Sequence, residues 1–288
     1  PIVCQPPRFR HRMPQRKGVW IMSEWLCVVG QDARQQAAAR ALRQAGVAVA
    51  GPEQAGQAPV LLLPMGAAGA RAEACRAAVQ AAAPGALVLA GRPDAALRRL
   101  AEQRGLELID YYARPELVRL NAVPTAEGCL ALLLQMRDST IWQSRFLVLG
   151  YGRVGQAVAE RLRALGGLVT VAARSAEQRA AARCANCRAA PLTALPRLLP
   201  RADAVVNTIP ASVLPAGQLA RLRPGTAVVD LASAPGGTDF AAAERLGVRA
   251  CLAPGLPGRC APVTAGRLIA RTVLNLLNER RTAPDTEE

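Results

Sequence analysis

The stretch that most constrains the fold is Phe146-Leu-Val-Leu149 running directly into Gly150-x-Gly152-x-x-Gly155. An apolar run of this length, stopped by a glycine turn, reads as a strand buried on both faces of a parallel sheet. Beyond the turn, Val154, Val158, Leu162 and Leu165 recur at helical spacing, and Leu168 to Ala172 reads as a second strand. In a strand–turn–helix–strand unit each glycine has its own task. Gly150 permits the tight turn, Gly152 lets the backbone approach a pyrophosphate, and Gly155 lets the helix pack close to the sheet. The first free N–H groups of the helix, at Arg153 and Val154, then present the positive end of its dipole to the phosphates. A dinucleotide is the expected ligand.

The end of the second strand bears on which dinucleotide. A carboxylate about 20 residues beyond the glycines commonly holds the ribose 2′-hydroxyl of NAD. Here Ala173-Arg174-Ser175 stands in that place. No carboxylate repels a 2′-phosphate, and a guanidinium and a hydroxyl are present to bind one, so NADP is the expected cofactor. The alternative for Arg174 is a solvated residue at a helix start.

At 288 residues the chain has room for two domains, and a 51% hydrophobic content supplies a core. No uninterrupted apolar run is long enough to span a bilayer, so no membrane association is expected. The formal charge of +15 invites a nucleic-acid reading. Against it, the positive charge is almost all arginine spread along the chain. Only three each of Phe, Tyr and Trp are available for stacking on bases, and no nucleic-acid motif occurs. The eight cysteines are read as free thiols of a reducing cytoplasm. Cys184-Ala-Asn-Cys187 has no second pair nearby to complete a zinc site, and it sits late in a helical stretch rather than at a helix start. No metal is expected.

Two scarcities narrow the chemistry. His11 is the only histidine and Lys17 the only lysine, and both lie in the Pro- and Arg-rich segment 1–21. That segment has no apolar period and is expected to be a disordered or misassigned extension before Met22. Histidine acid–base chemistry and lysine Schiff-base chemistry therefore have no candidate in the folded part. This counts against 2-hydroxyacid, malate, alanine and shikimate-type dehydrogenases.

Strand and helix patterns alternate along the rest of the chain. The fold class expected is α/β, with two doubly wound parallel-sheet domains. Residues 22–122 form a flavodoxin-like substrate domain, 123–143 a hinge helix, and 144–262 a Rossmann NADP-binding domain. Residues 263–288 form a C-terminal helix packed back across the hinge, with a frayed acidic end. Ligands of such sheets gather beyond the carboxyl ends of the strands. That places Asp32, Arg34, Gly66 and Asp110 on one rim and Asn207-Thr208-Ile209-Pro210 on the other, where nicotinamide and its ribose would lie. Asn121, Thr125 and Glu127 fall at the hinge, with Thr125 capping a helix from Cys129 to Met136. The segment from Ala253 to Gly266 reads as a long functional loop.

Several motifs in sequence order carry a resemblance. They are Asp32-Ala-Arg34-Gln35, Asn121-x-x-Pro-Thr125-x-Glu127-Gly128, the glycine fingerprint and Ala173-Arg174-Ser175. Asn207-Thr-Ile-Pro210, Pro235-Gly-Gly-Thr-Asp239-Phe240 and Ala253-Pro-Gly-Leu-Pro-Gly258 complete the set. Together they resemble the A subunits of bacterial dipicolinate synthases, from Trp25 to the final helix. The resemblance implies a cytoplasmic sporulation enzyme. It would oxidise dihydrodipicolinate to dipicolinate with NADP, beside a flavoprotein-like B subunit, as a homo-oligomer. Arg34 and Arg259, with Thr125, Thr264 and the backbone near Gly258, would hold the two carboxylates, and Asp32 and Asn121 would line the same cleft. Glu127 and Asp239 would be candidates to accept the proton. Alternatives are another NADP-dependent dehydrogenase of a small carboxylate, or a non-catalytic NADP-binding subunit.

Overall fold

Strands buried on both faces need helices on both sides, and the chain supplies them by alternation. The computed structural model describes residues 25–66 and 69–282. The expected extension 1–21 and the acidic end 285–288 lie outside these residues.

The first unit comprises β1 (Leu26–Val28), α1 (Ala33–Gln44), β2 (Val49–Ala50), β3 (Val60–Met65), α2 (Ala70–Ala81), β4 (Leu87–Gly91), α3 (Ala95–Gln103) and β5 (Leu108–Asp110). Its strands lie in the order β2-β1-β3-β4-β5, all parallel. Alternate residues serve opposite faces, as the two-residue repeat of a strand requires. Leu26, Val28, Leu62 and Leu89 pack to one side, Cys27, Val29, Leu61 and Leu63 to the other. Aspartates start two helices. Asp32 caps α1 by accepting from Gln35 N at 2.9 Å, and Asp94 caps α3 by accepting from Leu97 N at 2.7 Å.

After α4 (Pro115–Met136) the second unit runs β6 (Arg145–Leu149), α5 (Arg153–Ala164), β7 (Leu168–Ala172), α6 (Ala176–Cys184), β8 (Arg188–Ala190), α7 (Leu195–Leu198), β9 (Ala204–Asn207), α8 (Ala216–Leu219), β10 (Ala227–Asp230), α9 (Phe240–Arg245), β11 (Arg249–Leu252), α10 (Leu256–Cys260) and α11 (Pro262–Thr282). The sheet order is β11-β10-β9-β6-β7-β8, again all parallel. Read from β8, this is the doubly wound dinucleotide-binding order, with its switch point between β6 and β9.

Two helices join the units. Leu117 of α4 belongs to the core of the first, whereas Ala126, Cys129, Leu130 and Leu133 belong to that of the second. Helix α11 returns to the first unit, where Ile269, Ala270, Val273, Leu276 and Leu277 complete the core. A Cβ at Gly266 would stand 2.4 Å from Arg34 O and 2.6 Å from Ala37 Cβ, so α11 and α1 meet almost backbone to backbone. Arg114 fastens the arrangement through two hydrogen bonds to Glu279, at 2.7 and 2.6 Å.

The structure corrects three local readings. The boundary drawn at 122/123 and the helix start at Cys129 fall inside α4, which continues through Pro124. Proline removes one hydrogen bond there without ending the helix. Thr125 therefore caps nothing, and its hydroxyl donates to Asn121 O one turn back at 2.8 Å. The supposed loop 253–266 contains α10 and the start of α11. Lastly, α4 is long and apolar enough to cross a membrane by length and composition, with a mean hydropathy of 1.4 over its most apolar window. Charged and polar residues interrupt it, so it holds no uninterrupted apolar run. Its apolarity is used in two cores, not along one face.

Candidate active site at the junction of the two units

The glycine turn is shaped by what lies over it. Gly150 has φ +86°, and a Cβ there would sit 2.6 Å from Thr208 Oγ1, so both conformation and space demand glycine. At Gly155 a Cβ would meet Gly150 O at 2.4 Å. Around Gly152 nothing lies within 4 Å, which leaves open space over the first turn of α5. No side chain caps that helix, so its leading N–H groups, at exposed Arg153 and half-buried Val154, remain free for an anion. Open space above uncapped donors fits a dinucleotide pyrophosphate.

At the end of β7, Arg174 is exposed and pairs with no carboxylate among the described residues. Ser175 caps α6, accepting from Gln178 N at 3.3 Å. Arg179, which no sequence motif singles out, donates to Ala173 O at 3.0 Å and to Arg174 O, so two guanidinium groups flank the strand end.

The ends of β9 and β10 carry a buried polar knot. Asp230 is fully buried and accepts from Asn207 Nδ2 (3.0 Å), Ala232 N (3.0 Å), Gly237 N (2.8 Å) and Thr238 Oγ1 (2.7 Å). Asn207 Oδ1 also accepts from Ile209 N at 3.0 Å. Thr208 donates its hydroxyl to Leu149 O at 2.8 Å, beside half-buried Ile209 and exposed Pro210. Asn207 thus shapes the rim as scaffold, because its amide is spent within the protein. The amide of Asn207, expected at the nicotinamide, is engaged by Ile209 and Asp230.

Across the junction, Arg34 is only 9% exposed, although it stands in the first turn of α1. Its Nη2 donates to Met65 O at 3.0 Å, whereas its buried Nε has no partner. A Cβ at Gly258 of α10 would lie 3.8 Å from the Arg34 guanidinium carbon, so Gly258 is the second-unit residue turned towards this cation. Gly266 packs on the Arg34 backbone, so the first turns of α11, with exposed Thr264, lie beside the start of α1. A buried guanidinium near two helix N-termini suits a carboxylate.

One further arginine stands on this rim. Arg92 follows β4 with φ +56° and is exposed. Its backbone N donates to Asp110 Oδ1 at 2.9 Å, its guanidinium lies 5.4 Å from the centre of the Tyr112 ring, and Nη2 is 3.5 Å from Ser233 Oγ in the second unit.

Comparison with known proteins agrees with this geometry. Residues 131–235 match the D-isomer specific 2-hydroxyacid dehydrogenase NAD-binding domain. The dipicolinate synthase A subunit of Bacillus subtilis (strain 168) is 39% identical over 195 residues, 67% of this chain and 65% of that protein, a little under two thirds of its length. The crystal structure of the dipicolinate synthase A subunit from Bacillus halodurans superposes with a TM-score of 0.80 at 31% identity, covering 88% of this chain and 97% of the other. The corresponding crystal structure from Bacillus subtilis gives 0.79 at 30% identity, over 90% and 97%. The chain belongs to the dipicolinate synthase A-subunit family.

For a member of this family, the fold and the dehydrogenase domain follow. The structure gives the other expected site residues the following partners. Glu127 is exposed, and its carboxylate faces Arg161 Nε at 3.5 Å, beyond the middle of α5 and away from the glycine turn. Asp239 is an exposed helix cap that accepts from Ala242 N at 2.9 Å. Arg259 is exposed, pairs with no carboxylate among the described residues, and follows Gly258, the α10 residue next to the Arg34 guanidinium. Asp32 is a cap that also lies 3.8 Å from Arg71. Asn121 is buried within α4, where its carbonyl takes the Thr125 hydroxyl. Asp230 and Arg92 had a weak signal in sequence: each ends or follows a strand pattern at the carboxyl rim.

Proposed function

We propose that the chain is the NADP-dependent dehydrogenase subunit of a dipicolinate synthase, oxidising dihydrodipicolinate to dipicolinate in the sporulating cell's cytoplasm beside a flavoprotein-like B subunit. The observation that carries this reading is Arg34, a buried guanidinium with an unpartnered Nε at the junction of the two units. Such a group is costly to bury unless an anion completes it. A substrate carboxylate provides that anion and places the ring over the nicotinamide rim built by Thr208, Ile209 and Pro210. The bound nicotinamide supplies a hydride acceptor. Hydride leaves a ring carbon, a proton leaves the ring to water in the cleft, and the ring becomes aromatic. Aromatisation supplies much of the driving force, so the protein's contribution is placement and exclusion of alternatives rather than a strong acid–base pair. That agrees with the lack of His and Lys between residues 25 and 282.

The 2′-phosphate of NADP is assigned to Arg174 and Arg179 at the β7 end, with Ser175 alongside. Dipicolinate formation with NADP, with and without the B subunit, tests the reading. Arg34→Ala should lower kcat/KM by about 2–4 kcal/mol in barrier, roughly 30- to 1000-fold, and leave NADP affinity within about twofold. Absence of dipicolinate from the wild type with its partner would remove the substrate assignment. Turnover by the isolated B subunit would make this chain a cofactor-binding scaffold instead.

A further inference from the structure

A dicarboxylate presents a second anionic group, and a cation other than the exposed Arg259 stands close to the strand that holds Arg34. We propose that Arg92 takes the second carboxylate and so sets selectivity for dicarboxylates over monocarboxylates. This rests on the reading of the junction as a pyridine-carboxylate site. Met65 and Gly91 are paired across β3 and β4. Arg34 is tied to Met65 O, and Arg92 directly follows Gly91. The Arg34 guanidinium is therefore anchored on one strand, and the Arg92 backbone leaves the end of the next, roughly 4.8 Å away.

The local structure holds Arg92 for this use. Asp110 fixes its backbone but not its charge, because Oδ1 takes the N–H groups of Arg92 and Tyr112 (both 2.9 Å) and Oδ2 pairs with Arg98 at 3.3 Å. No carboxylate pairs with the Arg92 guanidinium among the described residues. Gly91 has no Cβ because one would stand 2.6 Å from the Tyr111 ring, whose hydroxyl donates to Leu63 O at 3.1 Å. The rim is thus rigid beneath the cation. The 3.5 Å approach to Ser233 is long for a hydrogen bond and readily exchanged for a carboxylate. Because Ser233 lies beyond Asp230, the same arginine reaches from the first unit to the loop beside the nicotinamide rim.

The backbone supplies a second argument. A left-handed arginine is uncommon, and one that precedes a proline, here Pro93, is more strained still. Strain of this kind persists where a side chain is needed at that spot. Glycine would relieve it, so Arg92→Gly removes the charge without threatening the fold.

The test is calorimetric titration of the full chain, saturated with NADP, with pyridine-2,6-dicarboxylate and with pyridine-2-carboxylate. Arg92→Gly should weaken the dicarboxylate about 10- to 100-fold, leave the monocarboxylate within about twofold, and melt no lower than the wild type. Unchanged dicarboxylate affinity, or equal losses for both acids, would overturn the assignment of Arg92 while leaving the proposed function standing. A wild type that binds neither acid would bring down the proposed function, and the role of Arg92 with it.

Discussion

Asn207 Nδ2 donates to Asp230 Oδ1 at 3.0 Å, and both side chains are fully buried. The two residues are register partners at the carboxyl ends of β9 and β10. The pair joins the loop containing Ser233 to the strand end whose next residue, Thr208, covers the glycine turn. Asp230→Asn keeps the shape but replaces one acceptor oxygen by a donor, leaving Gly237 N, or Asn207 Nδ2 and Ala232 N, facing another donor. A loss of about 3 kcal/mol is expected, hence a melting point lower by roughly 6–12 °C. Scanning calorimetry checks it, and a shift below about 2 °C would mean that the knot does little for stability.

The glycine turn predicts a separation between folding and binding. Gly152→Ala points a methyl into open space, so the protein should fold as before and lose dinucleotide affinity by tenfold or more, as a methyl meets the pyrophosphate. Gly155→Ala drives a methyl against Gly150 O and should cost about 1–3 kcal/mol of stability as well. Fluorescence titration with thermal melts on both variants distinguishes the two effects.

Arg174→Asp should invert cofactor preference. It replaces the proposed 2′-phosphate contact by a carboxylate suited to a ribose hydroxyl. A charge-assisted contact is worth about 1.5–3 kcal/mol, so NADP should bind the wild type at least tenfold more tightly than NAD. Equal wild-type affinities would refute the assignment.

The cysteines should divide by burial. Desolvation pushes the Cys27 and Cys75 thiols up from 9.0 to about 11, whereas Cys184 and Cys260 are exposed. Iodoacetamide at pH 8 should label the exposed pair and spare the buried pair until urea unfolds the chain. Raised thiol values mean that the native state holds these protons longer than the unfolded state. Their contribution to stability is therefore complete below about pH 9 and is lost as pH rises towards 11. Denaturant titrations at pH 8 and 10.5 provide the measurement.

Alternation of Phe146–Leu149 with the helical period after it, and the same pattern in the first unit, made both sheets legible from sequence. So did the role of each glycine in the turn. Pro124 misled because it reads as a breaker, although a long helix packed in two cores survives one missing hydrogen bond. The approach of Gly258 to Arg34 joins two helices far apart in the chain, and no local pattern encodes it. Asp230 and Arg92 act through partners on other strands, and no local pattern encodes those partners.

Helix α11, which returns to the first unit, also sets an order for biosynthesis. The five strands of the first sheet leave the ribosome before the whole second unit, yet Ile269, Val273, Leu276 and Leu277, which complete one side of their core, follow that unit. The first unit is therefore completed only after the second has been made. Until then its apolar face over Leu26, Leu62 and Leu89 lacks that cover, and the growing chain depends on chaperones or on the neighbouring unit to shield it.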